Sequence, residues 1–313
     1  MARAFVFPGQ GSQAVGMGTD LADAFAAARE VFEEVDDALG QNLSRLMREG
    51  PEDELTLTEN AQPALMAVSL AAVRVLESEG GKPLSEMAVC VAGHSLGEYS
   101  ALAAARSLEV SVTAKLLKLR GRAMQEAVPV GQGAMAALLG LDLEQAEAVA
   151  QEAADGDICE AANDNAPGQV VISGAKAAIE RALDIAKEKG AKRAVLLPVS
   201  APFHCGMMAP AADAMAQALA ETVIQPPSVP LIANISAARS VDPDTIRRQL
   251  VEQVCGRVRW RESVLAMKDL DVDTLVELGA GKVLSGLVRR IDRDMSGSAI
   301  NGPSDVETFL GSL

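Results

Sequence analysis

The chain has 313 residues, with 28 Lys plus Arg against 43 Asp plus Glu and a formal net charge of −15. Its 49% hydrophobic and 23% charged residues exclude general disorder, and the acidic balance with 3% aromatics argues against a nucleic-acid binder, which needs a basic surface and stacking platforms. No stretch approaches the roughly 18 apolar residues of a membrane helix, and the apolar run Ala4 to Phe7 before Pro8-Gly9 is too short for a signal peptide. The length suits one large domain or two unequal ones. Cysteines at 90, 159, 205 and 255 form no C-x-x-C, which points to a reducing cytoplasm. Two histidines, His94 and His204, argue against a multi-histidine metal site, and neither a metal nor a cofactor is expected.

In chain order, residues 3–7 read as a short buried strand entering a glycine-rich loop, Pro8-Gly9-Gln10-Gly11. Apolar residues at helical spacing predict helices over 20–39 and 61–78. Residues 89–92 form a continuous apolar run, a strand covered on both faces, followed by Gly93-His94-Ser95-Leu96-Gly97 and a helix to about 105. Another helix covers 111–127. Between 128 and 198 the order is strand 133–141, helix 143–154, strands 157–163 and 169–173, helix 176–189 and strand 193–199. That is the βαββαβ order of ferredoxin-like units, so 128–198 reads as an inserted small domain, with 1–127 and 199–313 forming the large one. After it come a helix at 208–222, a strand at 229–235, a helix at 243–254, a strand at 274–278 and helices at 282–291 and 303–310. Strands alternating with helices outside the insertion predict an α/β class, with a mostly parallel, helix-covered sheet of α/β-hydrolase-like kind in the large domain.

Gly93-x-Ser95-x-Gly97 sits where a buried strand gives way to a helix, the context of a nucleophile elbow. The turn lifts the Ser95 hydroxyl out of the core, and the helix that follows points free N–H groups at the same spot. The alternative is an ordinary strand-to-helix turn with a capping serine. A serine nucleophile needs a base. His94 is its sequence neighbour, and neighbours across a tight turn tend to point apart; His204, in a Pro-containing loop at a domain edge, is the better candidate. Taken by themselves, Lys115, Lys118, Arg120 and Arg122 read better as the solvated face of an amphipathic helix than as a binding site. Gly9-x-Gly11 lacks dinucleotide spacing, Gly281-Lys282 lacks the Ser/Thr of a P-loop, and Asn234-Ile235-Ser236 is a sequon without meaning in a cytoplasmic chain. Cys205 reads as a small packed residue.

Phe7-Pro8-Gly9-Gln10-Gly11-Ser12-Gln13, Gln62-Pro63-Ala64-Leu65, Gly93-His94-Ser95-Leu96-Gly97-Glu98-Tyr99-Ser100, Arg120-Gly121-Arg122-Ala123-Met124-Gln125, Asn165-Ala166-Pro167-Gly168-Gln169 and Pro202-Phe203-His204 together resemble the malonyl-CoA:acyl carrier protein transacylase family, end to end and in order. The resemblance implies a two-step transfer of malonyl from CoA to the active serine and on to the phosphopantetheine thiol of a holo-acyl carrier protein. It implies Ser95 as nucleophile, His204 as base, and Gln253 as the residue whose backbone carbonyl orients that base. The N–H groups of Gln10 and Leu96 would form the oxyanion hole, and Arg120 would pair with the malonyl carboxylate. It also puts Asn163 and Asn165 in the substrate-binding set and suggests a monomer. Lys192 and Arg193, in a basic cluster with Lys187 and Lys189, are expected to meet CoA phosphates or the carrier protein, the alternative being a solvated helix end. The chain differs from the family pattern at Ala105-Arg106, where glycine is usual, at Ala280, where proline is usual, and at Asp164, where an apolar or aromatic residue is common. A serine hydrolase or thioesterase would share the elbow without needing Arg120. Another acyl-CoA such as methylmalonyl-CoA would use the same site, although Phe203 would crowd a branched α-carbon.

Overall fold

The computed structural model describes residues 2–313. Its strands are β1 Arg3–Phe7, β2 Cys90–Gly93, β3 Gly133–Leu139, β4 Cys159–Ala166, β5 Gln169–Ala175, β6 Arg193–Leu196, β7 Leu231–Ala233, β8 Ala238–Ser240, β9 Thr274–Leu278 and β10 Ser296–Ile300. β1 and β2 are nearly all apolar, and such strands need cover on both faces. They pair in parallel at the centre of a six-stranded sheet ordered β10-β9-β1-β2-β7-β8, in which only the β7–β8 hairpin is antiparallel.

Alternation along each strand divides the apolar residues between two layers. Phe5 and Phe7 of β1 and Val91 of β2 face a large helical layer that includes the helices Ala26–Leu39, Thr58–Gly80 and Val110–Glu126. Ala4, Val6, Cys90 and Ala92 face the helices Trp260–Lys268 and Val283–Ile291. No helix is long and apolar enough to cross a membrane among the described residues.

The second sheet is antiparallel and ordered β4-β5-β3-β6, the strand order that the βαββαβ pattern implies. Ala136, Leu138, Val170 and Ile172 face the helices Leu143–Ala154 and Lys176–Glu188 and form a separate core. The alternate residues Met135 and Val171 join the core of the large layer instead. The small sheet therefore lays one face over the large body.

Several elements differ from the sequence reading. The helix expected over 20–39 is two, Thr19–Ala24 and Ala26–Leu39, because Phe25 adopts an extended backbone and packs on the core. The helices Leu43–Glu49, Glu52–Thr56, Leu84–Met87 and Trp260–Lys268 and the strands β8 and β10 were not anticipated. The strand expected over 229–235 is only Leu231–Ala233. Arg106, where the resemblance leads one to expect glycine, stands at φ 61°, the left-handed region that a glycine fills without cost. Its guanidinium pairs with Glu77 at 2.5 Å. Arg106→Ala loses that pair and keeps the backbone strain, whereas Arg106→Gly loses the pair and relieves the strain. Denaturant titration should therefore find the alanine variant about 1–2 kcal/mol less stable than the glycine variant.

Candidate active site

β1, β2 and β7 end together at one edge of the central sheet, where parallel α/β sheets present their ligand sites. β1 leads to Gln10, β2 to Ser95 and β7 to Asn234. The turn after β2 is tight. A Cβ on Gly93 would lie 1.9 Å from the Gly97 carbonyl, and one on Gly97 would lie 2.3 Å from the Phe7 carbonyl oxygen, so no side chain fits at either position. Ser95 itself sits at φ 54°. Asn234 splints the turn: its Oδ1 accepts from the Ser95 N–H at 2.8 Å and its Nδ2 donates to the Gly93 carbonyl at 2.6 Å.

His204 reaches this turn from the far side of the chain, as expected. Its Nε2 lies 2.8 Å from Ser95 Oγ and its Nδ1 lies 2.9 Å from the Gln253 carbonyl. A carbonyl only accepts, so Nδ1 carries the proton and Nε2 is free to accept the serine hydroxyl. The ring is 4% exposed. Burial, reinforced by the Arg120 cation, lowers its pKa to about 3 against the opposing pull of the Gln253 bond, so the resting imidazole is a neutral base. His94 lines the same pocket, yet its Nε2 donates to Asn165 Oδ1 at 2.9 Å rather than meeting Ser95.

Burial decides between the two readings of the basic helix. Lys115 and Arg122 are exposed, whereas Arg120 is 1% exposed. Arg120 Nη1 donates to Gln62 Oε1 at 2.9 Å, and Nη2 donates to Gln253 Oε1 at 2.8 Å and to Ser95 Oγ at 3.1 Å. Its ring neighbour is Tyr99, 5.7 Å from the guanidinium carbon. Ser95 Oγ thus accepts from Arg120 while its own proton faces His204.

The pocket over these groups holds about 520 Å³ and is lined by Gln10, Leu96, Met135, Asn163 and Phe203 together with Ser95, Arg120 and His204. Among the described residues, neither the Gln10 nor the Leu96 N–H is taken by another hydrogen bond. Asn163 Oδ1 is buried and unpartnered. Asn165 lies behind His94 and not on the pocket wall. Asp164, between them, is 1% exposed and turns to the opposite side, where Arg261 Nε grips its carboxylate at 2.9 and 3.1 Å. Two register irregularities in β4 bracket these residues. Lys192 and Arg193 are exposed at the start of β6, while Leu197 beyond its end lines the pocket. The structure keeps this pair outside the pocket. Cys205 is buried and donates to the Pro202 carbonyl, a packed residue as expected.

Sequence reasoning missed three groups. Gln62 and Asn234 hold Arg120 and Ser95, and Glu98 lies fully buried beneath them. A glutamate in the first turn of a helix reads as a complement to the helix dipole, and Asn234 reads as part of a sequon; only their tertiary partners mark them.

Asn234→Ala removes both bonds of the splint and leaves the Ser95 N–H and the Gly93 carbonyl without them. Stability in denaturant titration should fall by about 1–3 kcal/mol, and labelling of the Ser95 hydroxyl by a serine-directed fluorophosphonate should slow.

A family model of the acyl transferase domain matches residues 4–304. The malonyl CoA-acyl carrier protein transacylase of Escherichia coli K12 is 47% identical over 307 residues, covering 98% of each chain. The acyl-carrier-protein S-malonyltransferase of Bartonella henselae, a solved structure, superposes with a TM-score of 0.97 at 54% identity over 100% of this chain and 99% of its own. A structure described as a type II PKS acyl-carrier protein in complex with its malonyl-transacylase superposes with a TM-score of 0.97 at 44% identity over 100% of both chains. With an elbow serine, a buried neutral histidine and a family match spanning nearly its whole length, the chain belongs to the acyl transferase domain family, among the malonyl CoA-acyl carrier protein transacylases.

Proposed function

We propose that this chain transfers malonyl from malonyl-CoA to the phosphopantetheine thiol of a holo-acyl carrier protein through an ester on Ser95, supplying fatty acid synthesis in the cytoplasm. The observation that carries this reading is Arg120. It is a buried cation beside Ser95 Oγ whose protein partners are neutral amides and a hydroxyl. Such a group is electrostatically incomplete, and an acyl group ending in a carboxylate completes it with two parallel charge-assisted bonds. An acetyl group leaves it unpaired.

Ser95 Oγ attacks the thioester carbonyl while His204 Nε2 takes its proton. The oxyanion that forms lies toward the N–H groups of Gln10 and Leu96, each such donor contributing about 10²–10³-fold. The C–S bond breaks, and His204 returns the proton to the departing CoA sulfur. The pantetheine thiol then gives its proton to His204 and attacks the ester, and Ser95 regains the proton as it leaves. Splitting the transfer in this way replaces one difficult step with two easier ones. The Gln253 carbonyl orients the imidazole throughout. Asn163, with its free carbonyl oxygen in the pocket, is read as a polar contact for the thioester arm, and Asn165 as the brace that fixes His94. Phe203 narrows the space a branched α-carbon would need, which favours malonyl over methylmalonyl. Residues 128–198 are read as a domain inserted between 1–127 and 199–313. Free cysteines at all four positions agree with a reducing cytoplasm.

Incubation with malonyl-CoA followed by intact-mass measurement tests the reading. The expected result is one malonyl group on Ser95, stable in water and discharged by holo-carrier protein. Rapid discharge by water would make the chain a hydrolase, and no adduct at all would make it a silent binding protein. In the same assay Arg120→Ala should lower the preference for malonyl over acetyl by about 10–100-fold; equal losses for the two acyl groups remove Arg120 from selection. Charge reversal at Lys192 and Arg193 should raise the carrier-protein KM strongly with kcat little changed. An unchanged KM returns both residues to the solvated surface.

A further inference from the structure

Glu98, on the helix Gly97–Ala104, is 0% exposed and has no ion-pair partner among the described residues. One of its oxygens makes both of its contacts. Oε2 accepts from the Asn234 N–H at 3.0 Å and from Gln253 Nε2 at 2.9 Å, while Oε1 is buried without a partner. Those two neighbours are the supports of the reacting pair. Asn234 holds the Ser95 N–H, and Gln253 holds His204 through its backbone carbonyl. The Gln253 carboxamide is itself fixed at each end: its Oε1 accepts from Arg120, and its Nε2 donates to the Ser95 carbonyl as well as to Glu98. A single buried oxygen therefore ties the turn that carries the nucleophile to the helix that orients the base, and it touches neither reacting atom.

We propose that Glu98, as a carboxylate, is the positioning residue that aligns Ser95 with His204 and favours the imidazolium that His204 must become during acyl transfer. The proposal rests on the transfer reading above. Its physical basis is that His204 accepts a proton in a site where Arg120 opposes positive charge. A fixed negative charge behind the Gln253 amide dipole offsets that opposition in a low-dielectric interior. The position is costly, which argues against a packing role. Burial raises the Glu98 carboxyl from the usual range to about 7, against the pull of Asn234, Gln253 and the Arg120 cation. Arg120, on the helix Val110–Glu126, is the charged group acting on it; Asn234 and Gln253 are uncharged, and the Tyr99 hydroxyl on its own helix stays protonated because burial raises it further. With the folded value above the unfolded one, ionising Glu98 costs stability progressively as pH rises from about 4.5 to about 7, and in full above that.

The test uses a malonyl thioester of N-acetylcysteamine, which has no phosphate to titrate, and follows Ser95 ester formation in single turnover between pH 5 and 8. His204, held at about 3, contributes no titration there. The wild-type rate should therefore rise through a limb near pH 7 that belongs to Glu98. Glu98→Gln keeps an oxygen that can accept both bonds, so the fold should hold. Its acylation rate should fall roughly tenfold at pH 8 and lose the limb, with the thioester's KM little changed. Its Tm at pH 8 should equal or exceed that of the wild type. A wild-type profile flat from pH 6 to 8 would overturn the proposal. So would a variant that keeps the limb, or one whose rate loss follows a lowered Tm. Labelling of Ser95 by a serine-directed fluorophosphonate reports the same alignment without any malonyl group. If malonyl transfer fails while labelling shows the limb and its loss in Glu98→Gln, the transfer reading falls and the role of Glu98 stands.

Discussion

The site depends on how closely three backbone segments approach at the end of the central sheet. Gly93 lies against the carbonyl of Gly97, and Gly97 lies against the carbonyl of Phe7, at separations no Cβ can share. That contact presses the helix Gly97–Ala104 onto β1 and β2, forces Ser95 into a left-handed turn and brings the loop after β1 beside it. The N–H of Leu96 and the N–H of Gln10 come from opposite sides of this contact. A side chain at either glycine would separate them and open the turn that presents the hydroxyl.

The polar groups beneath the turn are arranged by the same economy. Arg120 and Glu98 are both buried, yet they do not form an ion pair; the Gln253 carboxamide stands between them, accepting from one and donating to the other. A direct pair would satisfy each charge and leave neither for the reaction. With a neutral amide between them, the guanidinium keeps an unneutralised charge, which on the proposed reading is what receives a carboxylate. Gln253 thus serves the site with three atoms of one residue, its backbone oxygen on His204 and its amide oxygen and nitrogen on the two charges.

Much of this was legible in the sequence, and the reasons are local. β1 and β2 are nearly continuous apolar runs, β9 is apolar apart from Thr274 and Glu277, and the 128–198 segment carries the βαββαβ order. Ser95 and His204 stood out because a strand-to-helix G-x-S-x-G is a structural statement as well as a motif. β8 (Ala-Arg-Ser) and β10 (Ser-Gly-Ser-Ala-Ile) have no hydrophobic period, since edge strands are held by ladder bonds to a neighbour that only the fold supplies. The burial of Arg120 was hidden by Lys115, Lys118 and Arg122 on the same helix, and resemblance, not periodicity, singled it out. Gln62 and Glu98 stood inside the motifs that carry the resemblance and Asn234 inside a sequon, yet none was given a role, because each acts through a partner dozens of residues away.

Ser95 and His204 share one more property: both hold φ near +60°, at 54° and 60°, a region that costs a non-glycine residue about 1–2 kcal/mol. The two side chains read here as the reacting pair thus stand in turns that glycine would fill without strain. Glycine at both positions would relieve that strain, but it would also empty the buried His204 site and leave the Gln253 carbonyl without its donor, so relief at the turns and loss of packing oppose each other. Within this architecture the two side chains are held against the preference of their own backbone, and their buried bonds to Gln253 and Arg120 are what keep them there.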